Sequence, residues 1–127
     1  MDITLLCKQI IGCAFKVHNQ LGFGFLEKVY ENALAFELSA MDGIHAEQQF
    51  PIPVYYREAK MGEYFADLFV NEMLIVEVKA VSHLVKEHET QLVHYLQATR
   101  IDHGLLINFG PSVIVKQKYR IFLKTTK

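Results

Sequence analysis

Apolar residues at Ile3, Leu6, Ile10, Cys13, Ala14, Val17 and Leu21 recur at three- and four-residue intervals, which predicts an amphipathic helix closed by Gly22 and Gly24. A second helix is expected directly after it, with Leu26, Val29, Tyr30, Ala33, Phe36 and Ala40 as its buried stripe and Asp42-Gly43 as its stop. The pattern then changes to that of strands. Glu47 to Tyr56 carries Pro51 and Pro53 and fits an edge strand, because proline cannot donate to a ladder on both sides. Tyr64 to Val70 and Leu74 to Ala80 are rich in β-branched and aromatic residues and predict a hairpin of buried strands. Glu87 to Thr99 predicts a helix with Leu92, Val93 and Leu96 facing inward. His103 to Phe109 predicts another strand, and Gly110-Pro111 turns the chain into a last one from Val113 to Lys118. An order of α, α, β, β, β, α, β, β, hairpin-rich with one crossover, predicts an α/β (α+β) sandwich rather than a doubly wound fold.

Composition narrows the picture only a little. A chain of 127 residues, 51% of them apolar, is expected to form one domain over 1–127 with a core of its own. The net charge of −1 gives no global attraction for polyanions, so any nucleic-acid contact has to come from a local cluster. Lys116, Lys118, Arg120, Lys124 and Lys127 form such a cluster, interleaved with Tyr119 and Phe122 and free of acidic residues. The same residues would also suit a strand edge guarded by lysines. Cys7 and Cys13 match neither a disulfide framework nor a C-x-x-C pair and read as small core residues of a reduced, cytoplasmic protein. Asp2 and Lys8 break any signal-peptide pattern, and no apolar run approaches the roughly 20 residues of a membrane span.

The chemistry concentrates in the predicted hairpin, Ala66-Asp67-Leu68-Phe69-Val70-Asn71-Glu72-Met73-Leu74-Ile75-Val76-Glu77-Val78-Lys79. Ionised side chains in strands that pack a core cost several kcal/mol unless they find partners or a metal. Glu77 and Lys79 share a face, being two apart in a strand. Asp67 and Glu77 oppose one another only if the connection is odd-numbered or bulged and centred near Glu72. A two-residue turn at Asn71-Glu72 would pair Asp67 with Val76 and send the carboxylates to opposite faces. In the odd register two carboxylates converge beside an ammonium, on a surface expected to be lined by Phe65, Phe69 and Ile75. That is oxygen chemistry suited to Mg²⁺ or Mn²⁺, while an exposed cross-strand ion pair is the plainer alternative.

Two further segments bear on that choice. Gly24-Phe25-Leu26-Glu27-Lys28-Val29-Tyr30 reads G-x-x-E-x-x-Y, and Gln91-Leu92-Val93-His94-Tyr95 reads Q-x-x-x-Y. Together with Asp67 and Glu77-Val78-Lys79, in that order, the sequence resembles the GxxExxY family of the PD-(D/E)XK nuclease superfamily, and within it the RecB-like branch. The resemblance runs from about Gln9 to Arg120 and implies a restriction-endonuclease-like core with a three-strand antiparallel meander flanked by helices. It implies Mg²⁺- or Mn²⁺-dependent hydrolysis of nucleic acid, DNA rather than RNA, in repair, recombination or defence. It also implies Asp67, Glu77 and Glu27 as metal ligands, Lys79 as the catalytic lysine, and Gln91 and Tyr95 as groups that position substrate phosphate or Lys79. Lys116, Lys118 and Arg120 are the expected nucleic-acid contacts. Ala66 stands where the superfamily pattern has proline.

Several residues keep a second reading. Glu27 suits the dipole of a helix's first turn, Glu31 shares its face and could take its place, and Tyr30 reads as a packing residue with a hydrogen-bonding tip. His88, Gln91 and Tyr95 form one polar-aromatic stripe, whereas His83, His88 and His94 do not share a helix face and argue against zinc. For the chain as a whole, a catalytically inactive nucleic-acid-binding or protein-interaction module with the nuclease fold is the alternative to an enzyme. A homodimer is compatible with the apolar content, and no membrane partner is expected.

Overall fold

The computed structural model describes residues 1–121, so Phe122, Lys124 and Lys127 of the basic cluster lie outside the described residues. Helix α1 (Ile3–Leu21) starts where the Asp2 carboxylate accepts the Leu5 N–H at 2.8 Å, and it buries Leu6, Ile10, Cys13, Ala14 and Val17. Helix α2 (Glu27–Ser39) buries Tyr30, Glu31, Leu34 and Leu38. Its inward face is therefore rotated from the expected stripe, and Leu26 and Phe36 are 80% and 73% exposed. Leu26 precedes the helix in extended backbone, so the i, i+4, i+8 row begins at Tyr30 instead.

Five strands follow, β1 (Ala46–Tyr56), β2 (Ala59–Val70), β3 (Leu74–Lys79), β4 (His103–Phe109) and β5 (Val113–Tyr119), in a sheet of that same spatial order. β1, β2 and β3 form an antiparallel meander, and β5 is antiparallel to β4. β3 and β4 run parallel, a pairing no hairpin can make, and α3 (Lys86–Thr99) supplies the crossover. The proline-bearing strand lies at one edge and the lysine-bearing strand at the other. Among the described residues no helix is long and apolar enough to cross a membrane.

Each sheet face has its own core. Leu68, Val70, Leu74, Val76, Val78, Leu105, Ile107 and Phe109 pack beneath α1 and α2. Ile52, Ala66, Phe69, Ile75 and Leu106 pack against Leu92, Tyr95 and Leu96 of α3. Val93, expected inward, is only partly buried, because Tyr95 takes the second inward turn.

The hairpin has the odd register. Leu68 faces Val76, Phe69 faces Ile75 and Val70 faces Leu74, which leaves Asn71, Glu72 and Met73 as a three-residue connection centred on Glu72. Asn71 and Glu72 take left-handed backbone, with φ of 52° and 55°. Asn71 is pinned there: its Oδ1 accepts from His45 N–H at 2.7 Å and its Nδ2 donates to the Gly43 carbonyl at 2.9 Å. This turn places Asp67 across from Glu77.

Candidate active site

The regular ladder between β2 and β3 stops at Leu68 and Val76. Beyond it the two carboxylates replace the backbone bonds. Glu77 Oε2 accepts the Asp67 N–H at 2.8 Å, and Asp67 Oδ2 accepts the Val78 N–H at 2.7 Å. Each acid thus closes the gap that opens between the splaying strands, and each keeps one carboxylate oxygen off the backbone amides.

The β1 side of Asp67 is also irregular. Gln48 faces Leu68 and Phe50 faces Ala66, but Gln49 between them is unpaired and left-handed at φ 56°. The same irregularity shifts the alternation of β2. Ala66 belongs to the α3-side core, and so does Phe69, three residues on, while Leu68 lies on the opposite side. Phe65 is consequently 48% exposed instead of lining the surface expected beside the pair. The break in phase is what lets a strand residue turn its carboxylate sideways toward its neighbour.

Around the pair lies a polar network drawn from α2 and β1. Glu31 is buried and accepts from Lys28 Nζ at 3.0 Å, Gln48 Nε2 at 2.8 Å and Gln49 Nε2 at 2.9 Å. Gln49 Nε2 also lies 3.4 Å from Asp67 Oδ1, so it couples the two acids. Glu27, one turn earlier, is exposed, and its charge acts on both Asp67 and Glu77. Lys79 continues on the Glu77 face, partly buried, opposite Asn108 of β4. The Asn108 amide bonds both backbone groups of Val81, at 3.0 and 2.9 Å, and so fixes the chain just beyond Lys79. Sequence reasoning missed Gln48, Gln49 and Asn108; polar side chains inside strand patterns were the available signal.

From the other side α3 delivers Tyr95, buried against the sheet, with Gln91 partly buried one turn before it. Tyr95 packs on Tyr64 of β2 with ring centres 5.7 Å apart. Burial, and then the charges of Glu77 and Asp67, push the Tyr95 hydroxyl up to about 12, so it stays a proton donor beside the acids. His88 instead caps α3, its Nδ1 accepting the Val85 N–H at 3.1 Å.

A family model described as the PD-(D/E)XK nuclease superfamily matches residues 4–121. The chain belongs to the PD-(D/E)XK nuclease superfamily. The crystal structure of SSO0001 shares the fold, with a TM-score of 0.61 at 16% identity over 75% of this chain. The match spans half the length of that protein, and no curated protein matches the chain. Members of the superfamily generally use divalent metal ions, and the residues here fit one. Burial first, and then the charge of Asp67, push Glu77 up to about 8. Burial first pushes Asp67 up to about 6, the Val78 amide opposes it, and Glu31 and Glu27 add to it. Lys79 acts against both shifts. Two desolvated carboxyls that resist carrying charge together form a site that a hard cation would complete. Among the described residues no three His, Cys, Asp or Glu side chains are gathered closely enough to hold an ion by themselves. A cation here would draw on the hairpin pair plus water and phosphate oxygens.

Two of the described basic residues near the C-terminus meet acids. Lys118 forms an ion pair with Glu89 of α3, and Arg120 Nε lies 2.9 Å from Asp102. Lys116 is exposed, on the edge strand. Folding brings acids from α3 and the α3–β4 connection to cations that had none nearby in sequence.

The G-x-x-E-x-x-Y segment has a structural rationale. Gly22 and Gly24 take φ of 70° and 128°, which side chains rarely adopt, and turn the chain from α1 into α2. Tyr30 stacks on Phe109 at 4.9 Å, donates its hydroxyl to the Gly22 carbonyl, and accepts the Phe25 N–H at 3.2 Å. It ties the start of α2, and with it Glu27, to the end of β4. Tyr30→Phe should lower stability by about 1–3 kcal/mol by orphaning both groups, read from urea melts; an unchanged midpoint would show that the loop is held by other contacts.

Proposed function

We propose that this chain is a divalent-metal-dependent nuclease that hydrolyses DNA phosphodiesters, of the GxxExxY group with a RecB-like Q-x-x-x-Y helix. The observation that carries this reading is the reciprocal crossing of Asp67 and Glu77 at the mouth of the hairpin, with Lys79 next along the same face. Asp67 and Glu77 would hold Mg²⁺ or Mn²⁺, which when bound supplies Lewis-acid activation of water and phosphate. Lys79 offers its ammonium to the attacking water or to the charge that builds on the phosphate oxygens. Glu27, at the start of α2 and near enough for its charge to act on both acids, would bind the cation through its water shell. Tyr95 and Gln91 would present a hydroxyl and an amide to the substrate phosphate, with the tyrosine kept protonated first by its burial and then by the charges of Glu77 and Asp67. Glu31 acts through Gln49 as a positioning residue that fixes the Asp67 carboxylate.

The test is direct. Purified chain should cut linear single- or double-stranded DNA with Mg²⁺ or Mn²⁺ and stop when EDTA is added. Absence of cutting on every DNA form with either ion would overturn the reading.

A further inference from the structure

We propose that the groove between α3 and the β1–β2 hairpin is a stacking subsite for unpaired nucleotides, making single-stranded nucleic acid the substrate class of the site. This deepens the nuclease reading of Asp67 and Glu77 and rests on it. The groove encloses about 750 Å³ and is lined by Val54 and Tyr64 from the hairpin and by Thr90, Gln91, His94 and Tyr95 from α3. Tyr95 links it to the acid pair: its ring lines the groove and packs in one cluster with Ala66, the residue before Asp67, and Ile75, which shares a strand face with Glu77. Tyr64 stands three residues before Asp67 on β2, about 10 Å along the strand, within reach of the nucleotides next to the scissile phosphate.

The chemistry of the lining selects the occupant. Tyr64 is held by Tyr95 on one side and is still 51% exposed, so it offers a pre-ordered aromatic face. Bases stack on such faces with little regard to sequence, whereas the bases of a duplex are already stacked on each other and cannot offer a ring. Lys86 and Glu87 at one end of the groove oppose each other in charge, which leaves stacking, with hydrogen bonds from Gln91, Thr90 and His94, as the source of affinity. A phosphodiester strand entering here has its bases against Tyr64 and Val54 and its backbone turned toward Asp67 and Glu77.

The experiment is fluorescence anisotropy with a short labelled oligothymidine and with a duplex of the same length, in EDTA so that no cutting intervenes. Oligothymidine should bind at least about tenfold tighter than duplex, and Tyr64→Ala should weaken it about tenfold or more while Tyr64→Phe restores it. Thr90→Trp, which puts an indole into the groove from an exposed helix position, should weaken it similarly. Thermal melts of each variant check folding. Equal affinity for duplex, or oligothymidine binding untouched by both Tyr64→Ala and Thr90→Trp, would overturn the subsite. The two readings fail separately: cutting without any Tyr64 dependence of binding removes the groove and keeps the nuclease. Tyr64-dependent binding by a chain that cuts nothing removes the catalytic reading and keeps the groove.

Discussion

Glu77→Gln should abolish metal-dependent cleavage, by about 10³-fold or more, and at the same time make the metal-free protein more stable at pH 8. The two effects share a cause. The Gln carbonyl can still accept the Asp67 N–H that Glu77 Oε2 accepts at 2.8 Å, so the bridge between β2 and β3 survives. What disappears is a negative charge that burial and Asp67 both disfavour. Relief of that cost is on the order of a few kcal/mol, a rise in melting temperature of about 5 °C or more. A residue whose role was purely structural would give the opposite sign. Lys79→Ala is the counterpart: cleavage should again be lost, yet the metal-free protein should become less stable at pH 8, since a cation acting on both acids is gone. Activity retained by Glu77→Gln, or a lower melting point than the parent at pH 8, would remove this pair from the centre of the mechanism.

Between pH 5 and pH 8 the metal-free protein should lose stability steadily, and Mg²⁺ or Mn²⁺ should restore it most at the upper end. Both hairpin carboxyls have folded-state affinities for the proton above the ordinary carboxyl range, Asp67 up to about 6 and Glu77 up to about 8. Above about pH 4 the unfolded chain has released these protons and the folded chain has not. The folded state therefore binds more protons through this window, and stability must fall as pH rises through it. The contribution is complete below the unfolded values and gone once the pH passes the folded ones. Glu89 is shifted the other way, lowered by its hydrogen bond to Lys118, so its contribution is lost only at pH below the ordinary carboxyl range. A bound cation competes with the protons on these carboxyls, so its stabilising effect grows with pH. Melting curves at several pH values, with EDTA and with added ion, would measure both slopes. A flat or rising profile in EDTA would mean that the acids are not desolvated as described.

Much of the site was legible because its logic is local. The even spacing of Asp67 and Glu77 predicts their meeting only with an odd connection, and the three-residue turn at Asn71, Glu72 and Met73 supplies it. The exclusion of Pro51 and Pro53 to an edge follows from the missing N–H groups, and β1 is an edge. Which acid of α2 is buried did not follow in the same way. Glu27 and Glu31 share a face in any helix, and the burial of Glu31 depends on how the row Tyr30, Leu34 and Leu38 settles on the sheet. The outward position of Phe36 and Leu26 has the same origin.

By itself the sequence determined the element order and the edge place of the proline-bearing strand, which rest on periodicity and proline chemistry among neighbours in the chain. It left the hairpin two registers, between which the three-residue turn of the structure decides. Only the tertiary structure decided what surrounds the pair: Gln49 bridging Glu31 to Asp67, Asn108 holding the chain after Lys79, Tyr95 packed on the sheet with Ala66 and Ile75, and acids paired with Lys118 and Arg120. Those partners come from elements far apart in sequence. Their meeting is set by which faces of α2 and α3 pack on the sheet, a choice that depends on the whole core and not on any local pattern.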